Sequence, residues 1–125
     1  MKDAVTLDAG ALIAFERGDR AAVTRIARAV ELRVPLVVPA GVVAQVWRDG
    51  RRQSRLARLL ATAVQIEELN DERARAAGQL CGATRTTDVI DASVALCARA
   101  RGGKVMTSDA ADLRRLDPTL DCIEV

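Results

Sequence analysis

The sequence predicts an α/β domain spanning residues 1–125, with a mainly parallel central sheet of four to five strands flanked by helices. Three observations point there. Short runs of β-branched and aliphatic residues alternate with longer segments of helical periodicity, the pattern of strands joined through helices. Half of the 125 residues are hydrophobic, enough for one real core, and with a single Phe and a single Trp that core is built from Ala, Val, Leu and Ile. No repeat, low-complexity tract or linker divides the chain.

Val5, Thr6 and Leu7 form a short buried strand, and Asp8 with Gly10 turns it into a helix over 11–16. Gly18 and Asp19 break and cap, and a helix over 20–33 turns Val23, Ile26, Ala27 and Val30 inward. Residues 36–38 are the second strand, ended by Pro39. A helix over 40–47 stops near Gly50, and the next, over 52–64, has Leu56, Leu59, Leu60 and Ala63 on its inner face. Residues 65–67 read as a weak edge strand. Asn70 caps a helix ending at Gly82, with Asp71 and Glu72 in its first turn. A loop over 81–87 leads to a helix ending at Arg101, stopped by Gly102 and Gly103. Val105 and Met106 form the fourth strand, 109–116 a helix, and Cys122 and Ile123 a last strand.

Composition excludes several functions. There is no histidine, so Ser-His triads, imidazole acid–base chemistry and the usual Cys/His zinc sites are out. Cys81, Cys97 and Cys122 are odd in number and widely separated, and read as small buried residues of a reducing cytoplasm. The scarcity of rings argues against base stacking on an aromatic platform. Met1 and Lys2 lead straight toward a strand, with no signal peptide. The most apolar stretch, 34–47, is too short to span a bilayer and is interrupted by Pro35, Pro39 and Gly41, so no membrane is expected.

The chemistry is carried by aspartates. Between Val89 and Ala98 the only polar residues are Asp91 and Ser93, which places Asp91 on a helix apolar on all sides. A buried carboxylate protonates or finds a cation or donors. Asp8 ends the first strand and Asp109 follows the fourth. In a parallel sheet both lie at the carboxyl edge, where ligands bind, and the first turn holding Asp91 meets the same rim. Asp88 and Asp112 fit a helix-capping role as well as a ligand role. Oxygen-only ligands select hard cations, Mg²⁺ or Mn²⁺. Thr107 and Ser108 read equally as groups that orient a ligand and as ordinary turn residues. Setting aside Asp8, Asp88, Asp91, Asp109 and Asp112 leaves 12 acidic residues against 19 basic ones, an excess of about +7 around an acidic pocket. That distribution suits a polyanion whose cleavage needs cations. Arg48, Arg51, Arg52 and Arg55 read either as a sequence-independent RNA contact or as a solvated helix face. Val46 reads as core, and Trp47 as core or as part of an apolar groove for a partner helix.

The segments Val5 to Ala14, Asp88 to Ala95 and Val105 to Leu113 together resemble PIN-domain ribonucleases, and the size is similar to the VapC-type toxins of bacterial toxin–antitoxin pairs. The resemblance covers nearly the whole chain. It implies a Mg²⁺- or Mn²⁺-dependent endoribonuclease, a homodimer, a cytoplasmic location and a cognate antitoxin that blocks the site. Asp8, Asp91 and Asp109 match the family's acidic positions. One position departs: where the family usually has a glutamate after the second strand, this chain has Gln45, which brings no negative charge and cannot serve as a base. A catalytically weak or inactive module acting through its antitoxin or RNA is therefore the alternative. A phosphoacceptor receiver domain would need an adjacent acidic pair after the first strand and a lysine past a late one. Asp8 is followed by Ala9 and Gly10, and Lys104 begins its strand.

Overall fold

Five short strands, β1 (Val5–Leu7), β2 (Leu36–Pro39), β3 (Gln65–Glu67), β4 (Lys104–Thr107) and β5 (Asp121–Glu124), form one sheet in the order β3-β2-β1-β4-β5. Every pairing is parallel. The computed structural model describes residues 3–125, so the expectation placed on Met1 and Lys2 lies outside it. The connections are helical: α1 (Ala9–Glu16), α2 (Arg20–Glu31), α3 (Ala40–Val46), α4 (Ser54–Thr62), α5 (Asp71–Thr84), α6 (Val89–Ala100) and α7 (Ala110–Leu116). From β1 the chain builds outward through β2 to β3, then crosses back through α5 and α6 to the other side of β1. The order therefore reverses between β1 and β4, and the carboxyl ends of these strands border a crevice of the kind where α/β sheets bind ligands.

The core lies where α6 crosses β1, β2 and β4, with α1 also packed on β4. Leu7, Leu12, Val38, Val42, Leu56, Val94, Val105 and Leu113 are fully enclosed. Thr6, buried on the central strand, donates its hydroxyl to Cys97 Sγ at 3.6 Å and so is not left unpaired. Cys81 and Cys97 are buried and Cys122 half-buried, all three as free thiols. Burial pushes the Cys97 thiol up to about 11, which makes it inert.

Several boundaries differ from the sequence expectation, each for an identifiable reason. The first helix begins at Ala9 instead of 11, because the Asp8 carboxylate accepts from the Ala11 N–H at 2.9 Å and caps it. Gly10 thus sits inside the helix, where a Cβ would collide with Ser108 Oγ. The second helix ends at Glu31, and Arg33 takes a left-handed conformation, φ 58°. Of its expected inner face only Ile26 is buried; Val30 is 46% exposed and, with Val23 and Ala27, lines an open groove toward α4. The fourth helix starts at Ser54, not 52, because Gln53 is used to tie the preceding loop. Its side chain accepts from the N–H groups of Arg48 (2.7 Å) and Asp49 (2.9 Å) and donates to Val46 O (2.8 Å) and Glu16 (3.0 Å). Asn70 caps α5 through the Arg73 N–H as expected, but the helix continues to Thr84 and closes on Arg85 in the left-handed region, φ 57° and ψ 42°. Val46 is core; Trp47 is partly exposed on an open apolar face with Val43, Leu60 and Ile66.

Candidate functional site

Asp8 is the first residue after β1 and is buried at the crevice. Burial pushes its carboxyl above the usual carboxylate range and the nearby Asp109 charge adds to this. The Thr107 hydroxyl and the N–H groups of Ala11 and Gly10 counter part of it. Thr107, the last residue of β4, also accepts from the Asp109 N–H at 2.9 Å, so one buried hydroxyl links the ends of the two central strands. Asp109 caps α7, with its Oδ1 3.4 Å from the Asp112 N–H. Ser108 is exposed, its side chain lying over Gly10.

Asp91 enters from the other side, in the first turn of α6, which Asp88 caps at 2.9 Å through the Asp91 N–H. The sequence placed Asp91 on a helix buried all round. The buried residues of α6 instead begin at Ala92; Val89 is 50% exposed and Asp91 half-buried, because the first turn projects past the sheet onto the rim. Desolvation is still the largest influence on Asp91, followed by the charges of Asp88, Asp8 and Asp112, and together they push its carboxyl up to about 7. A hydrogen bond from the protonated carboxyl to the Asp88 side chain pushes the same way, and among the described residues no salt bridge reaches Asp91.

Asp8 feels the charge of Asp109, and Asp91 feels those of Asp88, Asp8 and Asp112, while Asp112 also neighbours its cap Asp109, so the five acids form one connected group at the rim. They are near enough to repel one another. Yet among the described residues no three converge tightly enough to enclose a single ion. This spread fits a magnesium-like ion, which takes one or two carboxylates and keeps several waters, and not an all-protein cage. The donor chemistry, oxygen throughout, fits the same class of cation.

Gln45 and the four expected arginines do not border the concavity that Asp88, Asp91 and Asp112 line. Gln45 is exposed on α3 and, among the described residues, its side chain makes no hydrogen bond; it stands one turn from Gly41, whose Cα packs against Ile90 of α6. Arg48 donates to Ala44 O and Trp47 O at the end of α3, Arg52 faces Asp49 at 3.9 Å, Arg55 reaches Phe15 O at 3.4 Å, and Arg51 is exposed. None of these four lines the acidic concavity. That space, about 300 Å³, is bordered by Asp88, Asp91 and Asp112 together with Arg85, Thr86, Thr87 and Arg115. Sequence reading missed the two arginines, which are 30 residues apart and meet only once α5 and α7 are placed.

Comparison with known proteins gives two findings. A family model described as PIN domain matches residues 5–117. Eighteen chains of known structure are similar. Among them is a chain from the crystal structure of VapBC2 from Rickettsia felis bound to a DNA fragment from their promoter, with TM-score 0.72 and 11% identity, covering 97% of this chain and 98% of that one. At that identity the likeness speaks for the fold. No curated protein matches by sequence.

Proposed function

This chain belongs to the PIN domain family, and we propose that it is a metal-dependent endoribonuclease, the toxic member of a toxin–antitoxin pair. The observation that carries the proposal is Asp91: a half-buried carboxylate facing three others, with no salt bridge to relieve it among the described residues. A fold that holds like charges together in this way is stabilised by binding a cation there.

Asp8, Asp91 and Asp109 are the proposed catalytic and metal-holding acids, with Asp88 and Asp112 as further ligands on the Asp91 side. Mg²⁺ or Mn²⁺ is the proposed ion; when bound it supplies an activated water and charge stabilisation for the departing oxygen of the phosphodiester. Thr107 fixes the orientation of Asp8 and the start of α7 through its single hydroxyl. The Asp91 carboxyl lies near 7 only without an ion; a divalent cation held there would lower it, keeping Asp91 ionised as a ligand at neutral pH.

The partners belong to the same proposal. The groove between α2 and α4, about 780 Å³ and floored by Phe15, Val23, Ile26 and Leu59, suits an amphipathic helix of an antitoxin. The apolar face around Trp47 and Ile66 suits a second copy of the chain. Three free cysteines are in keeping with a reducing cytoplasm.

Purified protein with Mn²⁺ and single-stranded RNA tests the activity. Cleavage that Asp8→Asn and Asp91→Asn each abolish is expected, with a melting temperature that rises in millimolar Mn²⁺ because the ion binds only the folded state. The alternative, a binding module without activity, is favoured by the neutral, exposed Gln45. Its signature is tight antitoxin binding with no cleavage under any metal, and Gln45→Glu would then be the variant to restore turnover.

A further inference from the structure

We propose that Arg85 and Arg115 form a phosphate clamp that positions the RNA backbone beside Asp91, an inference that rests on the nuclease reading above. Both arginines border the same concavity as Asp88, Asp91 and Asp112. Arg85 comes from the end of α5 and Arg115 from the last turn of α7, so the clamp draws on two helices that pack on each other.

Several arginines lack a partner on the open surface; these two lack one while bordering carboxylates. Arg99 is bound to Asp117 at 2.9 Å, Arg73 to Glu67 at 3.1 Å, and Arg75 to Asp71 at 3.0 Å, while Arg101 also engages Glu67. Arg85 and Arg115 border three carboxylates and, among the described residues, form neither a salt bridge nor a side-chain hydrogen bond. Two guanidinium groups thus stand beside the acids without neutralising them. A phosphodiester seated between the two guanidinium groups supplies the acceptor both lack: its oxygens accept from a planar guanidinium in bidentate fashion.

Arg85 is held there at some conformational expense. It occupies the left-handed position that closes α5, where glycine or asparagine is the usual residue. The backbone is fixed, since the next N–H, of Thr86, donates to Cys81 O at 3.1 Å and the Thr86 hydroxyl meets that of Thr84 at 3.3 Å. Thr87, exposed and bordering the same concavity, adds a neutral hydroxyl. The clamp reads charge and not base identity, which gives affinity without sequence preference.

The experiment compares Arg85→Gln, Arg115→Gln, the double variant and the matching lysine variants in Mn²⁺-dependent cleavage of single-stranded RNA, at several salt concentrations. Each Gln variant should raise KM about tenfold with kcat within about threefold of the parent. The slope of log KM against log salt should fall by about 0.7 for each phosphate that is no longer neutralised. Lysine should restore the slope, while the Mn²⁺-induced rise in melting temperature stays intact. A Gln variant that only lowers the melting temperature, with KM and salt slope unchanged, would mean that the arginine merely caps its helix, and the clamp would be wrong while the nuclease stands. If the parent cleaves no RNA, the nuclease reading falls. RNA binding by anisotropy then decides the clamp, since affinity and salt slope equal in parent and double variant overturn it. Antitoxin affinity that drops in the variants with RNA binding unaffected overturns it too, and assigns the arginines to the protein partner.

Discussion

Asp91 and Asp117 are the same residue type, each on the border of α6 and α7, and the protein treats them in opposite ways. Asp117 is buried, which alone would raise its carboxyl. It accepts from the Thr119 hydroxyl at 2.6 Å, the Thr119 N–H at 2.9 Å and Arg99 Nε at 2.9 Å, and together these hold it below the usual carboxylate range. Asp91, less buried, receives none of this and stands among three like charges. The fold has the means to satisfy a carboxylate and uses them on Asp117. What stays unsatisfied at Asp91 is therefore a property of the rim, of the sort that marks sites for cations.

The largest expected effect of testing this difference is on chemistry. Asp91→Asn should lower kcat for RNA cleavage by about a hundredfold or more, the scale of losing a ligand of the ion that acts on the reacting atoms, whereas Asp117→Asn should leave kcat and KM within about threefold. Equal losses in both variants would erase the distinction.

On stability the order inverts. Asp117→Ala strands the Thr119 N–H and the Arg99 guanidinium and should cost about 2 kcal/mol, read as a fall in the denaturant midpoint at unchanged slope. Gln53→Ala should cost about as much, since the carboxamide serves two N–H groups and a carbonyl in one loop. Asp91→Asn, in metal-free protein, should do the reverse and stabilise, the mark of a residue kept for function.

How much of this the sequence disclosed follows from what kind of signal each feature leaves. β1, β2, α5 and the cap Asn70 were legible because local periodicity and capping chemistry decide them. The rim position of Asp8, Asp91 and Asp109 was legible because alternating strands and helices force a parallel sheet, and the sheet has one carboxyl edge. The exposure of Ala27 and Val30 was not, since an amphipathic stripe declares an apolar face and leaves open what covers it. The depth of Asp91 was misjudged because helical periodicity is blind to where a helix overhangs its sheet. Gln53, Arg85 and Arg115 left no trace: their partners are set by loop closure and by packing between distant segments.

The smallest expected effect is a pH dependence, and its sign discriminates most sharply. In EDTA-treated protein the unfolded Asp91 carboxyl loses its proton near 3.8 and the folded one near 7. Between those values the native state binds the extra proton, so the Asp91 contribution is fully present below about 3.8 and is lost as pH rises toward 7. Asp8, also raised, pulls the same way. Asp117, lowered, pulls the opposite way: its contribution is present above 3.8 and is lost as pH falls through its folded value. A shift of this size on a half-exposed group, discounted for solvent screening, amounts to about 1–2 kcal/mol, or about 4–8 °C in melting temperature between pH 5 and 8. Asp91→Asn should flatten that slope, and Mn²⁺ should protect more at pH 8 than at pH 5, because the ion and the proton compete for the same oxygens. A parent protein whose metal-free stability rises steadily from pH 5 to 8 would mean that Asp91 is relieved in solution after all, and the contrast with Asp117 would disappear.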